Sequence, residues 1–538
     1  MTTPLNVWSV IPGANLREFP KNDPAEIEIY GYCDCLSYEA GQTVRLFVHT
    51  TAPRFELTVV CDSGDGEVVL SLADVAGTLQ RTAEDAYASG CDWSETVSFQ
   101  VDAAWPSGVY IISLIVDCPS GGRVEREAGF VVRPRVAAGR ERMLLILATG
   151  TYVAYNDWGG ANAYRRSDGK HASDEFAPRL SLQRPWARGF LRLPTDAPRH
   201  GDVPDLPPFS QPRHPYYEWA LSNGYSRHYS DAGWAYYERP FTQWARENGF
   251  ALDFITQHDL PRCQDLLSGY ASAVIVGHDE YWTWEMRDAI DLFVRAGGRL
   301  ARFGANFIWQ TRMDHNDNVQ VCYKIAADDP AYHGDNKART TTYWDAAFIG
   351  RPAASTMGIS GLGGIYVRFG VASPRASGGY TVFRPDHWVF RDTDLRYGDQ
   401  FGQEPSRILA FEVDGLDYTF RGGQPYPTHV DGAPAGLQIL AMTPAVRGER
   451  TNSDGLFNGP LEMAVEILQQ APAFYEIPNV EFGAAMMVIF GSGKGGVFNS
   501  GCCNWVSGLM HRDPFVEQIT RNVLNACLRG DLEFQDLV

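Results

Sequence analysis

The sequence predicts a chain of mixed class, an antiparallel β-sandwich followed by a doubly wound α/β domain that carries β-rich insertions. Three observations carry that prediction. Strand-like runs separated by Gly, Pro and Asp fill the region from about Ala25 to Arg133. The stretch Ala271–Trp309 reads as strand, helix, strand. Strand-like, Gly-rich segments return after Trp309, and the chain closes on an amphipathic helix. The boundaries implied are 1–135 for an immunoglobulin-like sandwich, 141–320 for a Rossmann-like domain of the glutamine amidotransferase-like kind, and 321–538 for a β-rich insertion with a completing strand and helix.

In chain order, GQTVRLFVHT, FELTVVCD, GEVVLSLA, ETVSFQVD, GVYIISLIVD and REAGFVVRP are the sandwich strands, and none has the spacing of a chemical site. Pro134 to Arg140 is a linker. Met143 to Ala148 is a buried apolar strand, followed at once by a segment holding Tyr152, Tyr155, Asn156, Trp158 and Tyr164. Residues 165–235 are rich in Pro, Arg, Tyr and Trp without a period, which suits a lid or a surface wrap. A helix near Pro240 to Asn248 leads into a strand ending at Thr256.

Ala273 to Val276 is a β-branched run of the kind that fills a parallel strand. Thr283 is placed to cap a helix whose apolar positions are Met286, Ala289, Ile290, Phe293 and Val294, and Gly297-Gly298 stops it. Arg299 to Phe303 is the next strand. Because such crossovers return the chain in the same direction, His278, Asp279, Glu280 and Asn306 must leave one edge of the sheet, the edge where open α/β sheets bind ligands. YTVFRPDHWVF, SRILAFEVDG, LQILAMTP, AMMVIFG and GGVFNSG read as later strands, and Asp513-Pro514 opens the closing helix. The run Gly491 to Gly496 matches GxGxxG but lies between two strands, so it is a hairpin turn rather than a nucleotide loop.

Composition narrows the class. The 538 residues suit about three or four domains. A formal charge of −19 argues against nucleic acid or an anionic membrane as partner. The first residues, MTTPLNVWSVIPG, lack a basic and an apolar signal region, and no run is long enough to span a bilayer, which predicts a soluble cytoplasmic protein. Ten cysteines in a chain of this length are not a disulfide framework, and neither Cys33-x-Cys35 nor Cys502-Cys503 has zinc spacing.

The chemistry on offer is oxygen chemistry. GxSxG, a strand-end cysteine and HExxH are all absent. The predicted edge instead gathers Tyr152, Tyr155, Tyr164, Glu280 and Glu412, with His278 as its one imidazole. Hard oxygen donors suit hard cations, and a phenolate favours an ion such as ferric iron over zinc. Tyrosines after a strand are otherwise an aromatic packing patch, and carboxylates at a helix start are ordinary dipole partners.

The motifs Tyr152-x-x-Tyr155-Asn156, Trp158-Gly159-Gly160, Tyr164, Gly277-His278-x-Glu280-Tyr281-Trp282 and Gly304-x-Asn306 resemble the large-subunit family of N,N-dimethylformamidase, as do HWVF around Trp388, AFEVDG around Glu412 and GVFNSGCCNW. That resemblance implies a mononuclear Fe(III) site held by two tyrosines and a glutamate. Carried over, Glu280 is the glutamate, Tyr155 and Tyr164 the tyrosines with Tyr152 in reserve, and His278 and Asn306 their neighbours. Glu412 matches a further acidic residue of the pocket. It implies hydrolysis of an amide C–N bond, a homo-oligomer, and in the formamidase itself a small subunit and a longer large chain, of which this sequence carries no sign. Two other readings remain: a metal-independent glycosidase-like pair of Glu280 and Glu412, and a non-catalytic multidomain binding protein.

Overall fold

The computed structural model describes residues 17–119, 121–137, 139–173, 175–202, 215–364, 378–446 and 482–530. The N-terminal stretch read for a leader, and residues 203–214 of the Pro-rich segment, lie outside the described residues.

All six N-terminal runs form strands, Thr43–Thr50, Arg54–Cys61, Val68–Ala76, Val97–Gln100, Gly108–Asp117 and Arg123–Val132, joined by Ile29–Cys33 and Ser37–Tyr38. They make a three-stranded and a five-stranded sheet. Pairing is antiparallel except where Ser37–Tyr38 lies parallel to Val131 and Val132. Alternation does the work here: Val44, Leu46 and Val48 of the smaller sheet share one buried core with Leu57, Val59, Ile112, Leu114 and Phe130 of the larger.

The rest is organised around a nine-stranded sheet. In chain order its strands are β1 (Met143–Leu147), β2 (Leu252–Thr256), β3 (Ser272–His278), β4 (Arg299–Ala305), β5 (Tyr380–Val382), β6 (Gln400–Phe401), β7 (Gln438–Val446), β8 (Phe482–Ser492) and β9 (Gly495–Asn499). Their order across the sheet is β2-β1-β3-β4-β9-β8-β7-β5-β6. The first five are mutually parallel and the remaining four continue antiparallel. The sheet is thus mixed, larger than the four parallel strands legible in the sequence. The five parallel strands are buried along their length apart from Arg299 at the start of β4, which is why they read as largely apolar runs rather than alternations.

The helices that matter to the site are α1 (Thr149–Tyr155), α2 (Glu238–Glu247), α3 (Trp284–Ala296) and, at the end, α4 (Trp505–Met510) and α5 (Pro514–Arg529). Thr283 caps α3 by accepting from Met286 N, and Gly297 ends it in the left-handed region at φ 118°. Asp513 caps α5 through the N–H groups of Phe515 and Val516, ahead of Pro514. The hairpin read at Gly491–Gly496 is there, with β8 and β9 paired antiparallel across Gly493-Lys494.

Two readings are corrected. SRILAFEVDG is not a strand; between 406 and 415 the chain is irregular, held by single bridges from Val413 to Cys502 and from Gly415 to Ser360. YTVFRPDHWVF is a strand only over Tyr380–Val382 and then turns into a 3-10 turn at Trp388–Phe390. Both segments are apolar because they are buried, and burial alone does not dictate an extended ladder. A small sheet of Arg179–Ser181, Val319–Val321, Trp309–Asp314 and Tyr281–Thr283 was not foreseen. All ten cysteines are free thiols. Among the described residues, no helix is long and apolar enough to cross a membrane.

Candidate active site

The carboxyl ends of β1, β2, β3, β4 and β9 share one rim because those strands are parallel. After β1, Gly150 N donates to Gln257 Oε1, which follows β2, at 2.9 Å. Gln257 Nε2 in turn donates to Tyr281 O, which follows β3, at 3.0 Å. Gly150 is required by this stitch, since a Cβ there would lie 2.4 Å from Tyr281 O. Thr151 Oγ1 of α1 accepts from Glu280 N at 2.8 Å, so the first turn of α1 fixes where Glu280 stands.

Glu280 is wholly buried. Its Oε1 accepts from Tyr164 Oη at 2.5 Å and from Trp309 Nε1 at 2.6 Å. Tyr281 Oη donates to Tyr164 Oη at 2.8 Å, extending the chain of oxygens. Among the described residues Glu280 Oε2 makes no hydrogen bond, and it lies 3.3 Å from His278 Nε2. Tyr155 packs its ring 4.7 Å from that of Tyr164 and 5.1 Å from the imidazole of His278. Burial works against ionisation of Glu280, but the close approach and charge of His278, the Lys324 ammonium and the Tyr164 hydroxyl together hold its carboxyl below the usual range.

His278 is oriented from behind, its Nδ1–H donating to Asp231 O at 2.7 Å. Its Nε2 lies 2.7 Å from Glu412 Oε2. Burial disfavours the charged ring, yet the opposed Glu412 and Glu280 carboxylates raise its pKa well above the ordinary value. Asn306 Nδ2 donates to the same Glu412 Oε2 at 2.7 Å and sits 3.1 Å from His278 Nε2. Asn306 holds a left-handed backbone, φ 65°, and its N–H is secured by Asp414 Oδ1 at 2.6 Å. Asp414 Oδ2 also takes Arg302 Nη1 at 2.7 Å, and Arg302 Nε binds Asp279 Oδ2 at 3.0 Å. A buried cation of β4 therefore ties the segment after β3 to the irregular segment carrying Glu412.

The structure brings Tyr155, Tyr164, His278, Glu280, Asn306 and Glu412 together. Tyr152 departs: it lies on the same helix but turns its ring to Trp186, 6.1 Å away, with the Glu238 carboxyl of α2 near its hydroxyl. Burial, and then Glu238, push the Tyr152 phenol well above its ordinary pKa.

Four features were not read from the sequence. Lys324 places Nζ 3.2 Å from the Tyr164 ring centroid and is itself buried. Trp309, at the end of the strand–helix–strand stretch, supplies an N–H to Glu280. Asp231 and its histidines stand behind His278. Cys503 contributes a thiol such that ligand atoms of His278, Glu412 and Cys503 lie within 4.8 Å of one another. No local pattern marks Lys324 or Asp231, whereas the Cys502-Cys503 pair was visible and set aside for its spacing alone.

A family model described as N,N-dimethylformamidase beta subunit-like, C-terminal, matches residues 62–519. No curated protein matches. Solved structures similar to part of the chain include the PmoD soluble domain from Methylocystis sp. ATCC 49242, 15% identical over 20% of this chain and 90% of that one, TM-score 0.13. CopC from Methylosinus trichosporium OB3b is 14% identical over 20% of this chain and 96% of that one, also with TM-score 0.13. At such scores these partial alignments carry no functional information.

Proposed function

The chain belongs to the N,N-dimethylformamidase beta subunit-like family, and on that premise we propose that it is an amidohydrolase cleaving the C–N bond of a tertiary or N-substituted amide at a mononuclear Fe(III) site held by Tyr155, Tyr164 and Glu280. The observation that carries this reading is the meeting of Tyr164 Oη with the buried Glu280 carboxylate at 2.5 Å, beside the ring of Tyr155. The donor set fits the ion. Carboxylate and phenol oxygens are hard ligands, and Glu280 Oε2 is buried without a hydrogen bond among the described residues, which leaves it able to accept a cation. Bound there, ferric iron supplies Lewis acidity, polarising an amide carbonyl or lowering the pKa of a water.

The surrounding residues have defined work. Asn306 Nδ2 and the His278 ring offer N–H donors where an oxyanion develops during attack on the carbonyl. His278 and Glu412, 2.7 Å apart, form a pair able to pass a proton to the departing amine nitrogen. Trp309, Tyr281 and Tyr155 wall the centre with aromatic surface and keep bulk water from it.

A second reading has its own observation in the cluster of His278, Glu412 and Cys503, whose nitrogen, oxygen and sulfur suit a divalent ion such as zinc. Burial first, then the charges of Glu412 and Asp414, raise the Cys503 thiol well above its ordinary pKa, which disfavours the thiolate this reading needs. The glycosidase-like pairing is weaker still, since Glu280 and Glu412 both face one imidazole nitrogen, at 3.3 and 2.7 Å.

The test is hydrolysis of a panel of formamides, acetamides and bulkier tertiary amides by purified protein, with metal content measured in parallel. Turnover should follow iron occupancy, and Glu280→Ala should lose both iron and activity. A Glu280→Ala protein that keeps its iron and its turnover removes the proposal, and zinc in place of iron favours the second reading.

A further inference from the structure

Behind the rim, one carboxylate lies between two histidines. Asp231 Oδ2 lies 2.7 Å from His228 Nδ1, and Asp231 Oδ1 lies 3.5 Å from His200 Nε2. The backbone carbonyl of the same residue accepts from His278 Nδ1 at 2.7 Å. All four side chains are buried, His228 at 3% exposure and Asp231 at 4%. A carboxylate accepts and does not donate, so the proton of His228 sits on Nδ1 and its Nε2 carries a lone pair. That Nε2 is buried and makes no hydrogen bond among the described residues. The ring stands edge-on to Tyr155, 5.5 Å between centroids, one ring away from Tyr164 and His278.

We infer that His228 is a further residue of the reaction centre, its Nε2 accepting a hydrogen bond from the attacking water, and that Asp231 is the residue that positions it. This rests on the amide-hydrolase reading above. A buried acceptor costs free energy unless something donates to it. That donor is assigned to water, because an amide substrate has no O–H to give. His200 takes no part: its Nε2–H is spent on Ser230 O at 2.9 Å, and its ring lies flat on Phe411, 3.9 Å away. The carbonyl bond to His278 is a main-chain feature, so replacing the Asp231 side chain leaves it in place and separates the two imidazoles experimentally.

The experiment is a double-mutant cycle of His228→Leu and Asp231→Ala, read as kcat and KM on the best amide of the panel, with iron content measured for each protein. Each single variant should lower kcat roughly 10–100-fold, as loss of an orienting partner does, with KM changed much less and iron retained. The double variant should be no slower than His228→Leu alone, because Asp231 acts through His228. Asp231→Glu should restore part of the rate. Wild-type kcat in His228→Leu, or strictly additive losses in the double variant, overturns the inference. Nitrogen-15 spectra of histidine-labelled protein give a readout independent of turnover. His228 should appear protonated on Nδ1 alone and lose that single tautomer in Asp231→Ala, and a proton on Nε2 in the parent protein overturns the inference. If those spectra come out as expected while no amide is hydrolysed, it is the amide-hydrolase reading that fails.

Discussion

Burial opposes ionisation of Glu280, and the groups that hold its carboxyl below the usual range come from separate parts of the chain: His278 beside it on β3, Lys324 from irregular backbone, Tyr164 after α1. Arg302 does the corresponding structural work one layer out, joining Asp279 to Asp414 with no solvent contact. Removing one partner of such a buried set strands the others, at a cost of about 3–5 kcal/mol. Arg302→Ala should therefore lower stability by about that amount in chemical denaturation, and a loss below about 1 kcal/mol would mean that the two aspartates are relieved some other way. At this scale the sequence was informative where residues are close in number. His278 and Glu280 are two apart on one strand end, and Asn306 follows the next strand, so topology alone joined them. Lys324 and Asp231 reach the centre through irregular backbone, for which no periodicity exists to be read.

Among elements, the pair β3 and β4 is the tightest fit. Gly277 and Gly304 face each other in register, and a Cβ on Gly304 would lie 2.4 Å from Gly277 O, a backbone atom that cannot swing aside. Gly277 itself sits at φ 81° with the Tyr237 ring against it, which turns His278 into the site. Gly304→Ala should cost about 3 kcal/mol, as steric conflict in a core does, and should reduce the proposed iron binding along with it. Unfolding measured on the variant checks this, and wild-type stability would contradict the packing described. The second element-scale prediction concerns α2. Glu238 is raised to about 8, by burial first and against the partial relief of Tyr152 and the Ala148 N–H. The folded state thus keeps a proton that the unfolded chain releases above the ordinary carboxyl range, so stability falls as pH rises from about 4.5 to about 8. Glu238→Gln, neutral in both states, should show a shallower fall of melting temperature over that window, whereas parallel curves would contradict it. Capped helices and apolar parallel strands were legible because Thr283, Gly297, Asp513 and Pro514 act locally. The segment around Glu412 was misread as a strand because Ile408, Leu409, Phe411 and Val413 are all buried in a chain that never pairs regularly.

Over the whole molecule, the site depends on parts that are remote in number. β9 returns late in the chain to lie beside β4, and the segment after it brings Cys503 N to Glu412 O at 3.0 Å. A parallel strand placed there carries its carboxyl end to the same edge as β1, β3 and β4, and this is how 62–519, the span matched by the family model, comes to serve one pocket. The sequence revealed that edge, the strands at β5, β7 and β8 and the β8–β9 hairpin, but not β6 or the order in which β7, β5 and β6 extend the sheet, since nothing in a short strand states which distant neighbour it will pair with. The most direct test of the whole account is anomalous diffraction at the iron absorption edge from crystals of the purified protein. The expected result is a single peak within coordination distance of Glu280, Tyr164 and Tyr155, whereas a peak held by His278, Glu412 and Cys503, or no iron peak in an active enzyme, would contradict it.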